Sequence, residues 1–402
     1  MMQRIYSLRG AVMAAAQQWE KGPEAAKGKG KVLRLTVALA VIIAALNFSA
    51  LAFAAPAPKA GEWERTVDAA KKEGRIVIMG PSGVDTRDAF TVGFQKKYPE
   101  IQVDYNGMPG AQVAPKLITE LSAGGNRTDL VIAGTITAID GLMPVKALVP
   151  VQPYLVGPES RDLKKWKDGK FDFSDNAEKF NLVFGNRIQV AFSYNPELVP
   201  AGKIKSWKDL LNPEWKGKIA MLNPARAGAS QGWVTYWYLK ESQGFGKNFM
   251  RQLFGTQEIL LSNDERQLLD FVARGRYPIA LGPSSTLAFE LKKKGLPIDL
   301  AGSAALQEGG MISASNGSFM VPRNIPHPNA VKVYLDYLLS QEGQYAWSKA
   351  TGLTSRRRDV PNDHIPAVLV PKEGVKYMAD YKEPFVVLRD EVVDFVKSLL
   401  PH

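Results

Sequence analysis

Serine, threonine and glycine stand where an open α/β sheet would hold a small solute. Ser82 with Gly83, Thr135, Ser230, and the pair Ser284 and Ser285 each follow a short apolar run and precede an amphipathic one. A helix starting there offers free N–H groups and a partial positive charge, which together hold a small anionic or polar group. Taken singly, each position is explained by ordinary N-capping. Four of them, on strand-end loops of two separate blocks, point to a shared cleft. Arg226 is the positive side chain on these loops, either a partner for a carboxylate or phosphate or half of a surface salt bridge.

The residue types of covalent and metal chemistry are scarce. The chain has no cysteine, so it has no disulfide, thiolate metal site or cysteine nucleophile. Its three histidines are His327, His364 and His402, and none stands on a strand-end loop. The H-E-x-x-H, G-x-S-x-G, P-loop and Rossmann glycine patterns are missing. No catalytic residue, metal ligand or cofactor is assigned, and the chain is expected not to be an enzyme.

The elements that would position the hydroxyls follow in order. Arg75–Gly80 is a strand, and a helix capped by Asp85 follows, with Ala89, Phe90, Phe94 and Tyr98 on its apolar faces. A strand at 101–105, a helix at 111–123 and a strand at 129–133 complete a repeated β-loop-α order, the signature of a doubly wound layer. The second block has strands at 187–194, 218–222, 257–261 and 277–281. It also has a short helix at 207–211 capped by Ser206 and an aromatic helix with Trp233, Tyr236 and Trp237, mostly core. A long strand is expected at 311–321, with helices at 329–340 and 341–350. The fold class is α/β, in two lobes crossed near 187–194 and 303–318. Residues 60–188 with 303–350 form lobe 1, and 190–302 with 351–402 form lobe 2. Ligands of such sheets bind beyond the carboxyl ends of the strands.

Residues 35–55 carry no charge and follow seven Lys or Arg, and Ala52-Phe53-Ala54 fits a cleavage site. Residues 1–54 therefore read as an export signal peptide, with a retained anchor as the alternative. The net charge is +11, of which the seven Lys or Arg less Glu20 and Glu24 in this segment supply +5. The remaining body is modestly basic. Lys164, Lys165, Lys167 and the run Arg356 to Arg358 read as solvated faces, and no nucleic-acid partner is expected.

RIVIMGPSG, TDLVIAG, NRIQVAFSYNPELVP, SWKDLLNPEWKGKIAMLNP, GASQGW, NDERQLLDFVARGRYPIALG and NGSFMVPRNIPHPNAVKVYLDYLLSQEGQ carry a resemblance over residues 60–360. The chain resembles the periplasmic substrate-binding proteins of bacterial ABC importers, in the branch of the ferric-ion-binding proteins. The resemblance implies the type II two-lobe periplasmic-binding-protein fold, with a ligand cleft and a hinge of two crossing strands. It also implies a monomer that delivers a solute to an inner-membrane permease. Ferric-binding members place two tyrosines after the strand that here reads YPIALG; this chain has Ser284 and Ser285. Relatives without the tyrosines take organic solutes such as phosphonates, phosphate esters, polyamines or thiamine. The expected ligand is a small, anion-bearing organic solute touched by Ser82, Gly83, Thr135, Arg226, Ser230, Ser284 and Ser285. A secreted enzyme or sensor on this fold, or ferric binding through other ligands, is the alternative.

Overall fold

The computed structural model describes residues 61–225 and 229–400. The export segment, Arg226 and His402 lie outside the described residues. Among the described residues no helix is long and apolar enough to cross a membrane.

In lobe 1 the strand order is Gln102–Gly107, Arg75–Gly80, Leu130–Ile132, Ser318–Pro322, Asn181–Val183, Asp172–Phe173, and Leu148–Val149 pairs with the far end of Ser318–Pro322. The first three strands are parallel. Side chains alternate across a strand, so Met79 and Val131 face one side, where Val113 and Leu117 of the helix Gly110–Ser122 cover them. Ile78 pairs with Tyr105 on the other side, where Phe90 of the helix Val84–Lys97 stacks on the Tyr105 ring. The helix Val84–Lys97 starts at Gly83, not at Asp85, which lies inside its first turn. Gly83 has φ of 121°, a conformation that suits glycine.

Lobe 2 repeats the scheme in the order Leu260–Ser262, Ile219–Leu222, Ile279–Leu281, Val190–Tyr194, Asp299–Gly302. The first three are parallel, and Val190–Tyr194 runs antiparallel to both its neighbours. Ile219, Met221, Ile279 and Leu281 point into a core with Trp207, Trp233 and Trp237. Ala220 and Ala280 point to the opposite face, against Leu268, Leu269 and Val272. All three tryptophans are fully buried, so none lines a cleft.

A small third sheet joins the lobes: Thr354–Ser355, Gly185–Ile188, Met311–Ser313, Met378–Ala379. The two stretches expected as single strands each divide here. Residues 187–194 split at Gln189 into Gly185–Ile188 in the linking sheet and Val190–Tyr194 in lobe 2. Residues 311–321 split into Met311–Ser313 in the linking sheet and Ser318–Pro322 in lobe 1. The turn between them places Gly317 where a Cβ would lie 2.7 Å from the Gly185 carbonyl oxygen, so the crossing strands meet at a residue without a side chain.

The last fifty residues weave between the lobes. Trp166 bridges to Arg357, and the Arg357 guanidinium donates to the Leu339 carbonyl at 2.6 Å, both on the lobe 1 side. Ile365 and Leu369 join the lobe 2 core. Tyr381 and Lys382 return to Asp172, and Phe385, Val392 and Val396 enter lobe 2 again. Arg356 and Arg357 are accordingly not a solvated face. Both are buried, bridged to Asp172 at 3.3 Å and to Glu159 at 2.7 Å respectively; Arg358 is exposed.

Candidate functional site

Six parallel strands, three in each lobe, run into helix starts at their carboxyl ends. In lobe 1 neither Val84–Lys97 nor Gly110–Ser122 has a side-chain cap. Gly80, Pro81 and Ser82 before the first and Pro109 and Gly110 at the second line a pocket of about 260 Å³, with Asn316 among others. The aligned peptide dipoles leave partial positive charge at both starts. Ser82 in this lining and the neighbouring Gly83 are exposed, and Thr135 is buried ahead of the π-helix Thr137–Leu142.

Two of the lobe 2 starts are already served by the chain. Asp264 accepts from the N–H groups of Arg266 and Gln267 at 2.9 and 3.1 Å, capping Glu265–Ala273. The Ser284 hydroxyl accepts from the Leu287 N–H at 3.4 Å, capping Ser285–Lys293. The Ser284 N–H in turn donates to the Glu265 carboxylate at 3.2 Å. Ser285 is buried as the first residue of its helix. Ser230 is 1% exposed, and its hydroxyl has no hydrogen-bond partner among the described residues. It lies over Gly282, where a Cβ would come within 1.9 Å of Oγ. The structure thus brings Ser230, Ser284 and Ser285 to one edge of lobe 2, and Ser82, Gly83 and Thr135 to the corresponding edge of lobe 1.

The linking sheet supplies charges that reading by strand-end loops passes over. Arg187 pairs in register with Ser313 on the neighbouring strand. Asp380 follows Met378–Ala379, donates its N–H to the Ile312 carbonyl at 3.0 Å and accepts from the Gln189 amide at 3.2 Å and from Ser313. Its carboxylate lies 4.0 Å from where a Gly232 Cβ would stand, so this cluster abuts the first turns of Ala229–Leu239, the helix of Ser230. Burial raises the Asp380 pKa against the pull of Arg389, Gln189, Ser313 and Arg187. Burial lowers the Arg187 pKa, which Asp380 partly offsets. The Arg187 guanidinium has neither a hydrogen bond nor an ion pair among the described residues. A half-buried cation without a contacting anion is costly unless an anion meets it. No sequence signal marked Arg187, since one charge beside an apolar run is ordinary sequence.

The comparisons with known proteins agree with this architecture. Residues 80–345 match the family of bacterial extracellular solute-binding proteins. An uncharacterized protein of Haemophilus influenzae is 30% identical over 156 residues, which are 37% of this chain and 41% of that protein. The chain thus spans about two fifths of the length of that relative. Iron-bound HitA from Pseudomonas aeruginosa superposes with a TM-score of 0.59 at 17% identity, over 81% of this chain and 99% of that one. AfuA from Actinobacillus pleuropneumoniae, with fructose-6-phosphate bound, does so with a TM-score of 0.56 at 17% identity, over 81% and 97%. A putative extracellular solute-binding protein from Bordetella parapertussis gives a TM-score of 0.62 at 14% identity, over 82% and 100%. At such identities the likeness shows the type II two-lobe fold.

Proposed function

We propose that this chain, which belongs to the bacterial extracellular solute-binding proteins, is the periplasmic component of an ABC importer. Its solute is small, polar and anion-bearing, and it sits between the lobes. The protein acts as a monomeric carrier that delivers the solute to an inner-membrane permease and transforms nothing. One observation carries the charge of the solute: the Arg187 guanidinium lies on the linking sheet without a contacting anion among the described residues. The two uncapped helix starts of lobe 1 supply further partial positive charge. Ser82, Gly83 and Thr135 complete this end of the site, and Ser230, Ser284 and Ser285 the other. Arg226 remains proposed as a second cation. The fructose-6-phosphate in AfuA is a solute of this kind, a phosphate on a polyol. Iron in HitA is the contrasting case, and the position of the ferric-ligand tyrosine pair here holds Ser284 and Ser285.

Titration calorimetry with a panel of phosphate esters, phosphonates and carboxylates tests the reading. At least one should bind. Arg187→Ala should then weaken it by about 2–5 kcal/mol, the range for truncating one partner of a buried charge pair. Equal affinity in wild type and variant would remove Arg187 from the site.

A further inference from the structure

A groove of about 1030 Å³ follows the outer edge of lobe 1 and shares no lining residue with the pocket at the strand ends. We propose that it is a docking site for an acidic, extended segment of a partner protein, which adds to the open edge of Gln102–Gly107 as a further strand.

Gln102–Gly107 ends the lobe 1 sheet, and among the described residues it pairs with Arg75–Gly80 alone. The Gln102 N–H donates to the Gly74 carbonyl and the Met108 N–H to the Gly80 carbonyl, each at 2.9 Å. Bonding direction alternates along a strand, so Asp104 and Asn106 also bond inward. Val103, Tyr105 and Gly107 therefore turn their N–H and C=O groups outward, with no partner strand among the described residues. A row of such groups is a template for another strand, and strand addition is a recurring mode of peptide recognition. Val103 and Tyr105 line the groove from one face of the sheet, and Asp104 and Asn106 from the other, so the groove wraps the edge. Two helices fence it. Arg87, Thr91 and Gln95, at i, i+4 spacing, form a stripe of Val84–Lys97 on one side. Lys116 and Glu120 form a stripe of Gly110–Ser122 on the other. The end beside Val77 is fixed by Asp129, which is buried and accepts from the Val77 N–H, the His327 N–H and the His327 Nδ1, each at 2.8 Å. The Thr128 hydroxyl donates to Glu120 at 2.9 Å and ties the adjoining loop to the helix. Walls held in this way lower the ordering cost of binding.

Charge selects the occupant. The lining carries Arg75, Arg87, Lys116 and Arg127 against Asp104 and Glu120. Arg75 is paired with Asp104, and Arg87 with Asp88. Lys116 and Arg127 are exposed, with neither a hydrogen bond nor an ion pair among the described residues. A second copy of this chain would bring the same cations against them, so an acidic partner is favoured over self-pairing. Successive side chains of an added strand point to opposite faces. Acidic residues at alternate positions then meet Lys116 and Arg127, while the intervening ones meet Val103 and Tyr105.

The probe is an end-capped peptide of alternating Glu and Val, as long as Gln102–Gly107, and its control alternates Lys and Val. Calorimetry on the full chain should detect the acidic peptide with Kd at or below about 1 mM, the scale of weak recognition. The basic peptide should not bind, and added salt should weaken the acidic one. Amide hydrogen exchange read by NMR gives the place. The N–H groups of Val103, Tyr105 and Gly107 should exchange freely in the protein alone and slow by about tenfold or more with the acidic peptide. Those of Asp104 and Asn106 should not change. Lys116→Glu/Arg127→Glu alters two exposed side chains and should weaken the acidic peptide by about tenfold or more, the combined effect of two exposed pairs reversed. Equal binding of the two peptides, no binding of the acidic one, or protection confined to other amides overturns the proposal. So does undiminished affinity in the folded double variant. Protection of these amides before any peptide is added also overturns it: protection that rises with protein concentration would assign the edge to a second copy, and constant protection to a segment of the chain itself.

Discussion

Ser230 and Arg187 hold opposite lessons at the scale of single residues. Among the described residues the Ser230 hydroxyl has no partner, and a buried hydroxyl left so costs its desolvation. Ser230→Ala should leave the melting temperature of the free protein unchanged or slightly higher. The same change should weaken the solute by about 1 kcal/mol, roughly fivefold, if the solute supplies the missing hydrogen bond. Thermal denaturation without solute, paired with calorimetry, separates the two effects; a fall in melting temperature with unchanged affinity would assign Ser230 to packing. Ser230 was legible because a hydroxyl before an amphipathic run has a known use. Arg187 and Glu265 were not, since a charge at the end of an apolar strand, or in the first turn of a helix, is ordinary sequence. Their meaning comes from what lies across from them: Ser313 and Asp380 for Arg187, and Ser284 for Glu265.

At the scale of elements, Asp172 ties the lobe 1 edge strand Asp172–Phe173 to the C-terminal crossing. It accepts from the Lys382 ammonium at 2.5 Å and the Tyr381 hydroxyl at 2.7 Å, with Arg356 at 3.3 Å. Burial alone would raise its pKa, but Arg356, Lys382 and Tyr381 outweigh burial and hold the carboxyl below the usual carboxylate range. A carboxyl that binds its proton less readily when folded stabilises the fold above its unfolded pKa, near 4. That contribution is lost as the pH falls through the lower, folded value. Asp172→Asn should therefore cost about 2–3 kcal/mol at neutral pH, somewhat less than a fully buried pair because Lys382 is partly exposed. The difference from wild type should shrink below about pH 4. Melting curves from pH 7 to pH 3 check this, and a gap independent of pH would show that packing, not charge, makes the contact. Short apolar runs revealed the central parallel strands of both lobes because helices cover both their faces, while the short edge strands Asp172–Phe173 and Leu148–Val149 gave no such run. Residues 187–194 and 311–321 each ran together because apolar residues continue while the partner sheet changes at Gln189 and Gly317. The run Arg356 to Arg358 looked solvent-facing because its acidic partners, Glu159 and Asp172, lie far away in sequence.

For the whole molecule, the type II fold joins two lobes by crossing strands, and here the C-terminal segment crosses as well. Tyr381, Lys382 and Glu383 bond to residues 172–176 of lobe 1, while Phe385, Val392 and Val396 pack into lobe 2. The weaving of 354–397 carried no sequence signal, since short segments without periodicity give none. A linking sheet and this strap resist sliding of the lobes but allow rotation at a few loop positions, the behaviour of hinged domains. A solute held by Arg187 and by both rims then binds the closed arrangement better than the open one, and that difference in affinity drives closure. The absence of cysteine makes the motion measurable without background labelling. Val84 is 64% exposed at the lobe 1 rim, one residue after Gly83, and Arg266 is exposed beside Glu265 on lobe 2. In Val84→Cys/Arg266→Cys carrying two spin labels, the interlabel distance should shorten and its distribution narrow on adding a phosphate ester that binds. The same pair placed on Arg187→Ala should keep the open distribution at that concentration, because the variant loses the contact that rewards closure. An unchanged distribution in the wild-type background at saturating solute would mean that the cleft is already closed, and that affinity is set by preformed geometry.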